Sequence, residues 1–322
     1  MSNSQKPKPE ISQIKDWLSE YYHSVITGLA SLSGGYWSSA YAYSVAEKQF
    51  VLRLGESGEG FNIDKQAMAF ANCDLPIPKV LATGTALGLA FAISERHYGQ
   101  FIETQPIEHA DNVGLALNRF LMAMRALPST DDHANWYDTK NPVISWNDWL
   151  LGGITDSEDA HTAGWRATLA ATPEYEQVFQ QCESAIHRLL PLCPGRGELI
   201  HGDLLHQNVL VNDDASEVTA VFSWKCSARG DFLYDVAWLT LWQSWFPAIA
   251  NSNIWQRTLS ATDLSEADLE NAALRRHCYE LQIAASHMAW YTWTEDEENM
   301  LKLVSVIKDT LARGPNEITI KI

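Results

Sequence analysis

Apolar residues at Ile11, Ile14, Trp17, Leu18 and Tyr21 recur at helical spacing and predict a helix over 11–23. The pattern then changes to strand, turn, strand: 41–45, a charged turn at Glu47-Lys48, and 49–54. A glycine-bearing loop over 55–60 follows, and helical spacing returns over 62–72, before the breaker Pro76-Ile77-Pro78. Residues 79–84 and 87–94 predict a second strand pair that turns near Thr85-Ala86. Beyond Arg96 helical periods dominate, over 113–126, 175–190, 235–249, 272–292 and 295–311, with Trp146 to Leu150 opening a further apolar stretch. Short apolar runs near Val209 and Val221 interrupt them as strands. No repeat of fixed period occurs.

This pattern predicts an α+β chain in two lobes. A small, antiparallel β-rich N-terminal lobe over 1–95, with a loose tail over 1–9, precedes a larger, mostly helical lobe over 96–322. A length of 322 residues fits two such units better than one small core. Thirteen tryptophans, clustered from residue 136 onward, assign the larger aromatic core or pocket to the second lobe.

Charge narrows the partners. The 23 basic and 40 acidic side chains leave a formal charge of −17, and no basic stripe is present, so a nucleic-acid partner is not expected. The acidity fits a solvated surface and equally a field that attracts a cationic small molecule. Five cysteines without C-x-x-C spacing read as free thiols with no metal role. The N-terminus lacks the apolar core of a signal peptide, and no run of about 18 apolar residues occurs, so a cytoplasmic protein without a membrane span is expected.

The candidate chemistry lies in Leu199-Ile200-His201-Gly202-Asp203-Leu204-Leu205-His206-Gln207-Asn208-Val209-Leu210. An aspartate and an asparagine stand five residues apart in a short loop between apolar runs. Phosphoryl transfer needs a base to aim the acceptor hydroxyl and take its proton, and a hard oxygen ligand for magnesium. Asp203 and Asn208 supply those two types; a turn aspartate and a turn asparagine are the plainer alternatives. His201, at the entry, reads as a brace for the loop.

Other candidates surround this loop. Arg53 sits in a strand, where a fixed cation could hold phosphates with Asp64 on the next helix to aim it; an exposed surface arginine is the alternative. The segment Ser33-Gly34-Gly35 could cover phosphates with backbone N–H groups, although it matches neither G-x-G-x-x-G nor a Walker A loop. Asp231 and Asp235 open a helix and are read either as acids favoured by its dipole or as braces of the loop. The run Glu295-Asp296-Glu297-Glu298 reads as a solvated first helical turn, with a substrate-amine contact as the alternative. Ser223, after the second short strand, occupies the place where a second metal-binding aspartate is expected.

His201-Gly202-Asp203 with Asn208-Val209-Leu210, a short strand ending at Trp224, and Gly230-Asp231 with Tyr234-Asp235-Val236-Ala237 together resemble the aminoglycoside phosphotransferase family. Phe50 to Arg53 and Leu75 to Leu81 look like its N-terminal lobe, and the likeness spans most of 30–245. The resemblance implies a protein-kinase-like fold with ATP or GTP between the lobes and adenine near Ile93-Ser94-Glu95-Arg96. It implies Mg2+ and transfer of the γ-phosphoryl group to a hydroxyl of a cationic aminocyclitol. In that reading Asp203 is the base, Asn208 a metal ligand and Arg53 the phosphate cation. The family usually carries aspartate before the tryptophan, where this chain has Ser223, and impaired turnover is therefore expected. A catalytically silent nucleotide- or cation-binding protein, and a kinase of another small-molecule hydroxyl, are the competing functions.

Overall fold

A computed structural model describes residues 6–129, 134–137 and 144–315. Of the tail expected over 1–9, residues 1–5 lie outside the described residues. Its next residues are tied down rather than loose: Lys6 Nζ donates to the Gly34 carbonyl at 3.2 Å, and Ser39 Oγ donates to the Pro7 carbonyl.

The N-terminal lobe opens with helix α1 (Ile11–Tyr22) and continues through strands β1 (Ile26–Leu32), β2 (Ser38–Val45) and β3 (Lys48–Gly55), helix α2 (Glu59–Ala67), and strands β4 (Val80–Ala86) and β5 (Leu89–Glu95). The strands form one antiparallel sheet in the order β1-β2-β3-β5-β4. Alternation along β3 sends Leu52 and Leu54 into a core with Ile14 and Leu18 of α1, Tyr43, Phe91 and Ile93, and leaves Arg53 on the opposite face. In register, Arg53 lies between Ala40 and Ala92, small neighbours on both flanking strands. The sequence pattern missed β1. This strand is largely exposed, and a bulge between Thr27 and Ala30 breaks its alternation. The β4-β5 turn falls at Leu87-Gly88, past the expected Thr85-Ala86.

The second lobe begins with β6 (Gln100–Phe101) and contains α3 (Ala110–Arg125), α4 (Trp146–Gly152), α5 (Trp165–Ala170), α6 (Pro173–Leu189), β7 (Glu198–Ile200), β8 (Val209–Val211), β9 (Val218–Val221) and β10 (Ala228–Gly230). It ends with α7 (Leu233–Trp242), α8 (Pro247–Ala250), α9 (Ile254–Ala261), α10 (Glu266–Trp293) and α11 (Glu297–Arg313). Strand β8 pairs with β6 and β9, and β7 with β10, which gives the loop after β7 two rigid ends. Helix α7 is buried at all ten positions and packs on α10, the long helix behind the site. The single helix expected over 235–249 is two, because Pro247 lacks the N–H that a continuous helix would need. The acidic run at 295–298 is a helix start: the Asp296 carboxylate accepts the Asn299 N–H, and Glu297 and Glu298 form the first turn of α11. No helix among the described residues is long and apolar enough to cross a membrane. The five cysteines are free thiols.

Candidate active site

The loop between β7 and β8 is braced from below by Asp235, on the first turn of α7. Its two carboxylate oxygens accept the backbone N–H groups of His201 and Gly202, each at 2.8 Å. Burial pushes this carboxyl up, while His201 and the two N–H donors pull it back down. Gly202 has φ +73°, and a side chain there would meet the Cys226 carbonyl at 2.4 Å, so the loop can pass that backbone only as glycine. His201 is fully buried with its ring edge-on to Trp224. Its Nδ1 accepts the Asp203 N–H at 3.2 Å, which leaves the ring proton on Nε2 for the Phe222 carbonyl at 2.7 Å. The expected brace is therefore double, with His201 holding the loop and the chain after β9 together.

The side chains of Asp203 and Asn208 converge. Asn208 Nδ2 donates to Asp203 Oδ2 and to the Asp203 carbonyl, both at 2.9 Å. That orientation turns Asn208 Oδ1 away from Asp203, and it accepts no hydrogen bond from a described residue. The other oxygen, Asp203 Oδ1, meets His206 Nδ1 at 2.7 Å. Sequence reasoning did not single out His206. It faces Asp203 because His206 and Gln207 both take left-handed backbone, φ 60° and 66°, and spacing carries no signal of that. The Gln207 N–H is held by Glu103 Oε1, whose carboxyl is pushed up by burial.

Arg53 and Asp64 form the expected pair, Nη1 to Oδ2 at 2.7 Å, with the guanidinium over the Phe61 ring. Asp64 does more than aim Arg53: its Oδ1 accepts the Trp224 N–H at 2.8 Å. Ser223 stands just before that anchor, in left-handed backbone at φ 63°, ψ 60°. The Phe222 N–H donates to the Asn208 carbonyl at 2.8 Å, so position 223 is fixed beside Asn208. Replacing Asp64 with alanine removes both hydrogen bonds and leaves Arg53 without its partner. Stability is expected to fall by about 2–4 kcal/mol in urea unfolding.

The loop after β1 reaches this site. Gly34 lies against Gln207, whose Oε1 would be 2.8 Å from a side chain built there. Tyr36 and Trp37 cross to the second lobe: Tyr36 packs on Trp290 at 4.9 Å, and Trp37 stacks with Trp293 and meets His161 edge-on. Of the remaining candidates, Ser94 is buried on β5 opposite Val51. Arg96 is occupied elsewhere, donating to Gln49 Oε1 at 3.2 Å and lying over the Tyr98 ring, so the structure does not join it to Arg53 and Asp64.

Asp231 is also committed elsewhere. It is fully buried, receives Arg275 through Nε at 2.8 Å and Nη2 at 3.0 Å, and accepts the Tyr279 hydroxyl and the Leu233 N–H. It ties the start of α7 to α10 and has no spare oxygen with which to replace a carboxylate at 223. Arg275→Ala is expected to cost about 3–5 kcal/mol in urea unfolding, because it strands that buried charge.

Two open depressions of about 430 and 310 Å3 lie elsewhere, one beside Gln181 and Arg188, the other beside Arg125 and Glu198, and neither includes the Asp203 loop. The loop with its aspartate and asparagine, the cation–carboxylate pair above it and the two-lobed frame define the kinase-like class of phosphotransferase. A model of the phosphotransferase enzyme family matches residues 28–270, and the chain belongs to that family. Over 251 residues it is 28% identical to hygromycin-B 4-O-kinase from Escherichia coli, covering 74% of this chain and 69% of that one. Among solved structures it is similar to aminoglycoside phosphotransferase APH(4)-Ia in ternary complex with AMP-PNP and hygromycin B, with TM-score 0.78, 21% identity, and 94% and 99% of the two chains covered. Spectinomycin phosphotransferase APH(9)-Ia, in complex with ADP and spectinomycin, shares the fold at TM-score 0.52 and 14% identity, over 94% and 95% of the chains.

Proposed function

We propose that this protein transfers the γ-phosphoryl group of a nucleoside triphosphate, ATP or GTP, to a hydroxyl of an aminoglycoside-type small molecule. The observation that carries the reading is the convergence of Asp203 and Asn208 on one loop, 2.9 Å between Nδ2 and Oδ2. Asp203 is the base that aims the acceptor hydroxyl and receives its proton. Arg53, oriented by Asp64, holds phosphate oxygens, and the Ser33-Gly34-Gly35 segment covers them. His201 and Asp235 keep the loop in shape. The acceptor class is supported by the likeness to hygromycin-B 4-O-kinase and by the chain's formal charge of −17, which favours a cationic acceptor.

Magnesium fits this donor set only in part. Asn208 Oδ1 accepts no hydrogen bond from a described residue and is a suitable hard ligand, whereas Ser223 is neutral and short. Among the described residues no group of three His, Cys, Asp or Glu side chains forms a metal cluster. A magnesium ion here would rest on the nucleotide's phosphates, water and Asn208, and would supply countercharge to the phosphates. Ser223 supports a second reading, a protein that holds nucleotide or a cationic ligand without turning it over.

The test is ADP release on mixing with ATP or GTP and a panel of aminoglycosides that includes hygromycin B, run beside calorimetry of nucleotide binding with and without magnesium. Acceptor-dependent ADP release supports the phosphotransferase. Nucleotide binding without turnover on any acceptor supports the silent binder. Turnover confined to sugar or choline acceptors moves the substrate outside the aminoglycosides.

A further inference from the structure

The function proposed above leaves His206 unused, yet its side chain is placed against the base. We infer that His206 is a positioning residue for Asp203, locking the plane of the carboxylate that faces the acceptor hydroxyl. The inference rests on the reading of Asp203 as the base.

The geometry argues for it in three steps. An aspartate's terminal torsion is soft, with a broad range of rotation about Cβ–Cγ. Asn208 pins one oxygen at 2.9 Å, and a single donor leaves the other free to swing. His206 Nδ1 at 2.7 Å pins that second oxygen. Each carboxylate oxygen keeps a further lone pair, so both donors can stay in place while a hydroxyl approaches.

The imidazole is itself held. It lies 5.8 Å from the His287 ring and nearly parallel to it, and meets Trp238 and Trp242 edge-on at 6.0 and 6.2 Å. The side chain remains about half exposed, 47%, so burial does not account for it. Left-handed backbone at a non-glycine residue is unfavourable by roughly 1–2 kcal/mol. Here it turns the ring toward Asp203, and among the described residues the only hydrogen bond of the ring is to that carboxylate. In-line attack depends on placement, and an error of about 1 Å can cost roughly 100-fold.

Two substitutions separate the hydrogen bond from the ring. His206→Asn keeps an N–H donor at the δ position and tolerates left-handed backbone; His206→Phe keeps an aromatic ring and loses the donor. Both are made in the chain as it stands and in the Ser223→Asp background, with Asp203→Asn as the control. His206→Phe is expected to lower kcat by about 10- to 100-fold with KM nearly unchanged, and His206→Asn to recover most of that loss. If Asp203→Asn abolishes turnover while His206→Phe leaves kcat intact, the role of His206 is overturned and the base stands. If His206→Phe retains the rate and His206→Asn loses it, ring packing is the function and the inference fails. If Asp203→Asn leaves turnover unchanged, the parent reading fails and this one with it. A readout independent of turnover is long-range 15N–1H spectroscopy of the free protein. A proton on His206 Nδ1, lost in Asp203→Ala as the ring reverts to the Nε2–H form of an unpartnered imidazole, supports the inference. An unprotonated Nδ1 in the unmodified chain overturns it.

Discussion

Asp203→Asn is expected to lower phosphorylation of the acceptor by about 10²–10⁴-fold, the range a positioned general base contributes. The substitution preserves side-chain size and leaves the brace beneath the loop untouched, since Asp235 holds backbone N–H groups of His201 and Gly202 and not the 203 side chain. The amide nonetheless differs from the carboxylate in two ways. It cannot accept the acceptor's proton. It also offers an oxygen to only one of the two donors now served, Asn208 Nδ2 and His206 Nδ1. Nucleotide affinity should change little, because the proposed phosphate contacts come from Arg53 and the loop after β1. The measurement is initial rate with the preferred acceptor beside ADP binding by calorimetry. A variant that binds ADP normally and has lost turnover assigns chemistry to Asp203; turnover equal to the unmodified chain removes the base from this position.

The parts of this site that are legible in the sequence are those fixed by local order. Asp203 and Asn208 are five residues apart on one loop, and phosphoryl transfer asks for those two residue types. Arg53 and Asp64 follow from a strand passing directly into a helix, and their 2.7 Å contact matches the expectation. Contacts that depend on backbone conformation or on distant segments were not legible. His206 faces Asp203 through two successive left-handed residues, and Asp64 reaches the Trp224 N–H across 160 positions. The bridge from Tyr36 and Trp37 to His161, Trp290 and Trp293 joins three separate parts of the chain. Among the elements, β7 and β10 are three residues each, too short for a period of two to register. Helix α10 begins at Glu266 rather than 272, because its first turn is polar and is set by the Ser265 hydroxyl accepting the Asp268 N–H.

Those hidden contacts share an effect on the site. His201 fastens the Asp203 loop to the segment after β9, Asp64 of α2 ties that segment to Arg53 of β3, and Gly34 of the loop after β1 lies against Gln207. A nucleotide held between the lobes would therefore touch segments from both. The aromatic bridge also ties the proposed phosphate cover to α10, the helix that carries His287 beside His206. Positions outside the motif, Trp37 and Trp293 among them, thus bear on how the loop after β1 sits over the Asp203 loop.

Ser223→Asp is expected to raise turnover by about 10²–10³-fold, the scale of one preorganised electrostatic contact in an active site. Position 223 is ready for the change. Its left-handed backbone suits aspartate better than most residues. Its neighbours are clamped by the Asn208 carbonyl on the Phe222 N–H, by His201 Nε2 on the Phe222 carbonyl and by Asp64 on the Trp224 N–H. The backbone that would carry the new carboxylate is thus already held next to the Asn208 backbone, and Asp231, bound to Arg275, neither replaces it nor competes with it. Nucleotide binding should at the same time become more dependent on magnesium, because a charged ligand joins the neutral amide. Rates for the two proteins across a magnesium titration, with hygromycin B among the acceptors, measure both effects. A large gain identifies a phosphotransferase limited by one missing charge. Equal and substantial turnover in both would mean that the phosphates are neutralised without a carboxylate at 223, with Arg53 as the cation to remove next. Silence in both, with nucleotide still bound, would leave a phosphotransferase fold used for holding a ligand.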